Sequence, residues 1–253
     1  MASKLNLLQP VLNNIIERAR AAKATGAPFK AIFDLDSTIF DISPRITKIF
    51  HAFAALPEIK KNFKKEASVL AQIRPDPSDF GVKRTLARNG LSAEDTTPEF
   101  IQLLVTYWRK NFFSDTYLDE DIPYPGVQKF ILQLQNTGAQ ILYLTGRDIP
   151  RMLQGTVASL KKYGFPVQND MSNLFLKPSA EIRDHDFKKK FFEEMEKTSE
   201  EIWFFENEPT NIYLVLKISP HVNIVFVDTV HSGAMPPPTE DIHRISSFDF
   251  EVG

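Results

Sequence analysis

The chain has 253 residues, 43% hydrophobic and 25% charged, with a formal net charge of −2. These values are typical of a globular protein with one large or two smaller domains, and they argue against a nucleic-acid or basic membrane-surface protein. The absence of cysteine excludes disulfide bonds, thiolate zinc sites and a cysteine nucleophile. It fits a reducing compartment. Because we find no signal peptide and no membrane-spanning apolar run, we predict a cytoplasmic protein.

The first predicted elements are a helix and a buried strand that ends in two aspartates. Apolar residues recur at helical spacing from Leu8 to Ala19, and Gly26 is a candidate for the helix C-cap. The apolar run at residues 31–33 leads into Asp34 and Asp36, at the end of a strand where open α/β sheets bind ligands. Two neighbouring carboxylates repel each other, so we expect a divalent hard cation beside them.

Helical patterns dominate the next 80 or so residues of the chain. Apolar stripes around Phe50, Ala67 and Leu104 predict three helices, and no strand pattern occurs before residue 139. We therefore predict a helical cap domain over residues 43–121 and a core domain over residues 1–42 and 122–253.

Strands and helices alternate in the rest of the chain. Short strands are predicted at residues 139–144, 173–176, 202–205 and 223–227. Together with the first strand they imply an α/β fold with a doubly wound, mostly parallel, five-stranded sheet. The tail after His231 is predicted to be irregular.

Polar residues accompany the ends of these strands. They are Asp34 and Asp36, then Thr145, Gly146 and Arg147, then a lysine before the fourth strand, then Glu206 and Asn207. Because the carboxyl ends of parallel strands meet at one edge of a sheet, we expect these residues to form a single site.

This ordered set resembles the motifs of the haloacid dehalogenase (HAD) superfamily of phosphate-handling hydrolases. Residues 34–38, Asp-Leu-Asp-Ser-Thr, match the Asp-x-Asp-x-Thr motif, Thr145 matches the second motif, and Glu206-Asn207 is a variant of the acidic fourth. The resemblance extends over roughly residues 28–230. It implies a HAD-like Rossmannoid core with a helical C1-type cap inserted after the first motif strand.

By this resemblance, the chain is a Mg²⁺-dependent phosphatase that acts on a small phosphorylated substrate through an aspartyl-phosphate. Asp34 would be the nucleophile and a metal ligand. Asp36 would be the general acid and base, and its backbone carbonyl would also bind the metal. Thr38 would order the loop after the strand.

The resemblance also implies a phosphate-binding group, but it leaves the lysine open. Thr145 and the Gly146 amide would bind the phosphoryl oxygens together with the lysine. Arg147 is a candidate for binding the phosphorylated substrate, and a pair with Asp148 or Asp41 is the equal alternative. Lys177 lies at a strand end, and Lys188 opens the helix before the fourth strand. We favour Lys188, because related acid-phosphatase-like sequences carry their lysine at the start of that helix.

The fourth motif departs from the two aspartates of many relatives. In a subset with Asp-Asn-x-Pro, the asparagine is a metal ligand, so Asn207 is predicted to bind Mg²⁺ and Glu206 to assist. Asn211 is a further candidate, and Asp41 and Arg45 occupy the position of the family's flap.

Other functions remain open at this stage. A phosphotransferase would use the same residues, and a catalytically weak or silent HAD-fold binding protein is left open by Asn207. Carbon–halogen hydrolysis needs no proton donor for its leaving group, so Asp36 argues against it. We expect a monomer or homodimer with no nucleic-acid or membrane partner.

Overall fold

A computed structural model describes residues 9–92, 94, 96–195, 200–239 and 242–251. In these residues the α-helices are α1 (Pro10–Thr25), α2 (Ser43–Ala54), α3 (Pro57–Asn62), α4 (Lys64–Leu70), α5 (Gly81–Arg88), α6 (Pro98–Phe112), α7 (Val127–Asn136), α8 (Ile149–Lys162), α9 (Asp184–Met195) and α10 (Pro209–Ile218). A 3-10 helix spans Asp115–Glu120. The strands are β1 (Phe29–Phe33), β2 (Phe40–Asp41), β3 (Ile122–Pro123), β4 (Gln140–Asp148), β5 (Leu174–Lys177), β6 (Glu201–Glu206), β7 (Asn223–Val227) and β8 (His243–Ile245).

A six-stranded sheet in the order β5-β4-β1-β6-β7-β8 organises the core, and every neighbouring pair of its strands is parallel. Strand β1 lies between β4 and β6, with Phe33 opposite both Tyr143 and Phe205. The carboxyl ends of the three strands that carry polar motifs are therefore adjacent. The α/β fold with a parallel sheet is confirmed.

The predicted number of five strands was wrong. The sixth strand, β8, lies in the tail that was predicted to be irregular. It has three residues, and of these only Ile245 is buried, so the sequence has no readable alternation there. Pairing with the edge of β7 defines this strand, through Val227 opposite Ile245 and the bond from the Asp228 amide to the Ile245 carbonyl.

The central strands are buried on both faces, which explains their continuous apolar runs. Phe33 and Phe205 belong to one apolar cluster, and their rings stack with centroids 4.4 Å apart. Ile32 and Phe204, the preceding residues, belong to a second cluster. Side chains thus alternate between two cores, as the period of a strand requires.

The described chain forms two compact units. The first comprises residues 9–40, 123–150 and 160–251 outside the gaps, and it contains the six-stranded sheet. The second comprises the described part of residues 41–122 together with residues 151–159, and it is helical, with an apolar core that includes Phe53 and Phe100. The segment 151–159 falls outside the predicted cap range of 43–121. That division into folding domains stays a prediction.

Most helix predictions hold locally. Gly26 adopts a left-handed conformation with φ of 73° and closes α1, as its lack of a Cβ allows. Leu8, predicted at the start of that helix, lies outside the described residues. Among the described helices, none combines the length and apolarity that a membrane span needs.

Candidate active site

Strand β1 and a tight turn position the first motif. The Asp34 amide continues the strand pairing by donating to the Phe205 carbonyl at 3.0 Å. The Leu35 carbonyl then accepts from the amides of Thr38, Ile39 and Phe40, which turns the chain back on itself. This turn returns Thr38 to the strand end, so its side chain lies beside Asp34.

Both oxygens of the Asp34 carboxylate are engaged. Lys188 Nζ lies 2.8 Å from Oδ1, and the Thr38 hydroxyl lies 3.0 Å from Oδ2. Asp34 is 5% exposed. Burial raises the pKa of Asp34 well above its ordinary value, and the positive charge of Lys188 opposes that rise only in part.

Lys188 is buried at the centre of an ionic cluster. Its ammonium lies 2.8 Å from Glu206 Oε2 and 3.4 Å from Asp184 Oδ2, in addition to Asp34. Burial alone would lower the pKa of Lys188, but the three carboxylates together raise it well above its ordinary value. The ammonium is therefore charged at neutral pH.

The structure brings Lys188, rather than Lys177, to Asp34. Lys177 ends β5, and its Nζ donates to the Ile182 carbonyl at 2.9 Å. Lys188 lies in α9, one turn after Asp184. The geometry supports the favoured choice, although the catalytic role of Lys188 stays a proposal.

Glu206 is the last residue of β6 and accepts four hydrogen bonds there. Its Oε1 accepts from the amides of Asn207 and Glu208, both at 2.9 Å, and its Oε2 accepts from Lys188 at 2.8 Å and Asn211 at 3.0 Å. These four bonds use the usual acceptor capacity of an ionised carboxylate. Burial raises the pKa of Glu206, and Lys188 partly offsets this. Glu206 is thus arranged to hold the lysine and the turn.

Asn207 presents its two ends to different partners. The carboxamide oxygen lies 3.0 Å from the Thr38 hydroxyl, and the carboxamide nitrogen donates to the Val230 carbonyl at 2.6 Å. The oxygen of Asn207 is consequently on the same side as Asp34.

These oxygens fit a cation by two independent criteria. The single proton of the Thr38 hydroxyl faces two acceptors at 3.0 Å, Asp34 Oδ2 and Asn207 Oδ1, and can serve one at a time. In addition, the Lys188 cluster has two more negative than positive charges when all four groups are ionised. In the described residues no group of three or more His, Cys, Asp or Glu is arranged to hold a metal. The expected donors are one carboxylate, one amide oxygen and one main-chain carbonyl, which suit Mg²⁺ with its retained waters.

Arg147 is directed at the second aspartate. Strand β4 continues to Asp148, past its predicted end at residue 144, and its pairing with β5 is irregular between Leu144 and Asp148. The buried guanidinium of Arg147 donates to Asp36 Oδ1 from Nε at 3.1 Å and from Nη2 at 2.5 Å. Arg147 therefore holds the proposed acid–base residue in place.

Thr145 and Gly146 lie between these two groups of charges. The Thr145 hydroxyl is buried and accepts from the Arg147 amide at 3.3 Å. A Cβ on residue 146 would lie 2.6 Å from Asp184 Oδ1, so glycine is the residue that fits. The structure thus brings together Asp34, Asp36, Thr38, Thr145, Gly146, Arg147, Lys188, Glu206 and Asn207 within the first unit.

Sequence reasoning missed Asp184 and Val230. Asp184 contacts Lys188 and accepts from Asn211 at 3.0 Å, and its spacing of four residues from Lys188 is the signal that could have identified it. Val230 acts through its main-chain carbonyl, which no residue type reveals. Arg45 is fully buried in an ion pair with Asp121 in the second unit.

Comparison with known proteins agrees with this geometry. The family model for haloacid dehalogenase-like hydrolases matches residues 31–213. No curated protein shows a significant match to the chain.

Solved structures resemble the chain at low sequence identity. Protein Tyrosine Kinase A of Mycobacterium tuberculosis has 15% identity and a TM-score of 0.52, with 88% of this chain and 95% of that chain covered. A predicted phosphoglycolate phosphatase of Haemophilus somnus has 15% identity, a TM-score of 0.48 and coverages of 88% and 95%. A family IA HAD hydrolase of Entamoeba histolytica has 14% identity, a TM-score of 0.44 and coverages of 87% and 93%.

Such similarities report on fold alone, whereas the family match spans well over half of the chain and includes all of the strand-end residues described above. On that evidence the protein belongs to the haloacid dehalogenase-like hydrolases.

Proposed function

We propose that the protein is a Mg²⁺-dependent phosphatase that hydrolyses small phosphomonoesters through an aspartyl-phosphate. One observation carries this proposal above the others. Asp34 is a buried strand-end carboxylate held between Lys188 at 2.8 Å and Thr38 at 3.0 Å, and the second carboxylate, Asp36, follows two residues later. This arrangement offers a nucleophile and a separate proton carrier on one short loop.

The two aspartates divide the reaction between them. An Asp34 oxygen attacks phosphorus, so an O–P bond forms while the bond from phosphorus to the leaving oxygen breaks. Asp36 supplies the proton that the leaving oxygen needs. In the second half, Asp36 takes a proton from water as the water oxygen attacks the phosphorus. The bond between phosphorus and the Asp34 oxygen breaks, which gives the free Asp34 carboxylate and inorganic phosphate.

The residues after β4 would bind the phosphoryl group. Thr145 and the Gly146 amide lie at the strand end, and Lys188 supplies a fixed positive charge beside Asp34. Arg147 donates to the Asp36 carboxylate. A phosphoryl group bound by the Arg147 guanidinium would therefore lie near Asp36, the proposed proton donor. Preorganised positive groups of this kind stabilise the charge that develops during transfer.

Mg²⁺ would be held by the Asp34 carboxylate, the Asp36 main-chain carbonyl and the Asn207 carboxamide oxygen. It would neutralise charge between the nucleophile and the phosphoryl oxygens. The negative excess of the Lys188 cluster supports a requirement for such a cation.

The test is hydrolysis of a broad panel of phosphomonoesters in the presence of Mg²⁺. We expect Asp34→Asn to lower turnover by a factor on the order of 10⁴ or more, the scale for loss of a catalytic nucleophile. Asp170→Asn, the same substitution in a loop outside this site, is the matched control and should retain wild-type turnover.

The same assay should follow both free phosphate and phosphorylated alcohol acceptors, because transfer and hydrolysis share their first step. Acid quenching and mass spectrometry should locate a phosphoryl group on Asp34. Absence of turnover over the whole panel, or equal turnover in wild type and Asp34→Asn, would overturn the proposal.

A further inference from the structure

The segment that follows β7 contacts the loop after β1 and the turn after β6, which both carry residues of the candidate active site. We call residues 229–232 the clamp segment. At one end, the Thr229 hydroxyl donates to the main-chain carbonyl of Ser37. At the other, the Ser232 amide and hydroxyl donate to Glu208 at 2.9 and 2.8 Å. Ser37 lies between Asp36 and Thr38, so the clamp segment ties the loop after β1 to the turn after β6.

Between these ends, the Val230 carbonyl accepts from the carboxamide nitrogen of Asn207 at 2.6 Å. A carbonyl oxygen can only accept a hydrogen bond, so it selects the nitrogen end of the amide. The Thr38 hydroxyl can donate or accept, and it makes no such selection by itself. The Val230 carbonyl is therefore the group that directs the Asn207 oxygen toward Asp34.

The orientation of this amide has a chemical consequence. With its oxygen toward Asp34, Asn207 offers a neutral ligand to a hard cation. With the amide reversed, the NH₂ group would lie on the side of Asp34 Oδ2 and the Thr38 hydroxyl. Its N–H donors would then point to the place where a cation needs an oxygen ligand. An aspartate at position 207 would need no such orientation, because its two oxygens are equivalent.

Thr229 determines where the Val230 carbonyl lies. Its amide donates to the Val227 carbonyl at 2.8 Å, which turns the chain at the end of β7, and its hydroxyl attaches the turn to Ser37. Ser37 has φ of 61°, a left-handed conformation that costs a non-glycine residue about 1 kcal/mol or more. The Thr229 bond stabilises that conformation, and with it the placement of the Asp36 carbonyl and the Thr38 hydroxyl.

We propose that Thr229 and Val230 are positioning residues of the cation site: the clamp segment fixes the Asn207 carboxamide oxygen and the Ser37 turn in the arrangement that binds Mg²⁺. The proposal rests on the proposed function, because it requires a cation between Asp34 and Asn207. It goes further by assigning the selection of the ligand atom to a loop that carries none of the motif residues.

The test is calorimetric titration of the full chain with Mg²⁺ in the absence of substrate. Thr229→Val keeps the shape of the side chain and removes the hydroxyl, and we expect it to weaken Mg²⁺ binding by about tenfold, the scale of one lost hydrogen bond. Thr229→Ser keeps the hydroxyl and should bind near the wild-type value. Thr137→Val is the matched control, because the buried Thr137 hydroxyl also donates to a main-chain carbonyl, that of Leu134.

A second measurement needs no metal. Hydrogen exchange of the amides at residues 37–40 should accelerate in Thr229→Val and stay unchanged in Thr137→Val. If Thr229→Val matches Thr137→Val in both Mg²⁺ affinity and exchange, the positioning role is rejected.

The outcomes separate this proposal from the proposed function. Wild-type protein that binds Mg²⁺ and releases phosphate, with Thr229→Val unaffected, rejects the clamp segment alone. Wild-type protein that binds no Mg²⁺ rejects both proposals. If Thr229→Val fails to fold, Thr229→Ser decides: loss of Mg²⁺ affinity in this folded variant that retains the hydroxyl would contradict the assignment.

Discussion

Each unit of the protein contains buried charges, but the two groups differ in balance. In the helical unit, Arg45 Nε lies 3.0 Å from Asp121 Oδ1, and both side chains are 0% exposed. Arg45 also lies over the Phe112 ring at 4.2 Å. Within this pair the two charges cancel. In the sheet unit, by contrast, Lys188 faces three carboxylates.

The comparison shows that charge balance separates a structural site from a candidate functional one better than burial does. The Arg45–Asp121 pair has no net charge of its own, and it joins the start of α2 to the residue that follows the 3-10 helix. When its four groups are ionised, the Lys188 cluster has a negative excess, which is unfavourable for the buried Asp34 and Glu206 carboxylates unless a cation compensates it. Such groups with strongly shifted pKa values concentrate where a protein binds ligands or performs chemistry.

Of the substitutions that test this comparison, removal of the Lys188 ammonium should have the largest effect. Lys188→Met should lower phosphatase turnover by about 10³-fold, the scale for loss of one preorganised group that stabilises developing charge. Lys177→Met is the matched control, because Lys177 is the other lysine between β4 and β6 considered for this role and donates to Ile182 instead. Steady-state kinetics with Mg²⁺ on a substrate of the wild type measures both. Loss of turnover in Lys177→Met alone would reverse the assignment.

The choice between these lysines shows what the sequence can and cannot predict. The strand ends were predictable because each motif follows a run that is apolar on both faces, as residues 202–205 do before Glu206. Lys177 and Lys188 both lie between β4 and β6, and their choice depends on the path of the chain after β5. That path is a tertiary feature, and no local pattern encodes it.

Substitution in the Arg45–Asp121 pair should lower stability and leave activity unchanged. Arg45→Met leaves the buried Asp121 carboxylate without its guanidinium, and we expect a loss of about 3–5 kcal/mol in the free energy of unfolding. Lys48→Met is the matched control, because Lys48 pairs at 3.4 Å with Glu120 at the surface, one residue before Asp121. Exposed pairs contribute about 0–1 kcal/mol, so this control should change little. Urea denaturation measures both variants.

Equal stability of Arg45→Met and wild type would contradict the structural role of the pair. Sequence reasoning placed Arg45 among candidates for the flap, because its position in the chain fits that feature. Its burial against Asp121 and Phe112 depends on how α2 packs against the end of α6 and the 3-10 helix, which is again a tertiary property. The helix itself was readable from the apolar stripe that includes Phe50 and Phe53.

The smallest expected effect is a change in stability when a carboxylate of the Lys188 cluster is replaced. Removing a negative charge from the unbalanced cluster should stabilise the metal-free protein. Since burial raises the pKa of Asp34 in the folded state, the folded protein binds a proton more readily there than the unfolded chain, and stability falls as pH rises through the interval between the two pKa values. Asp34→Asn lacks this fall, so in EDTA at neutral pH it should be more stable than wild type by about 1 kcal/mol.

Urea denaturation in EDTA at several pH values measures this difference. Asp170→Asn is the control that should show no gain, because the hydrogen bonds from Ser172 lower the pKa of Asp170 instead of raising it. The gain of Asp34→Asn should vanish toward pH ~4, where the aspartates of the unfolded chain take up protons. Added Mg²⁺ should stabilise wild type more than Asp34→Asn, because the variant has lost a ligand charge. A variant less stable than wild type in EDTA at neutral pH would mean that the bond to Lys188 outweighs the burial of Asp34. The Lys188 cluster would then be a structural ionic group, like the Arg45–Asp121 pair, with no need of a cation.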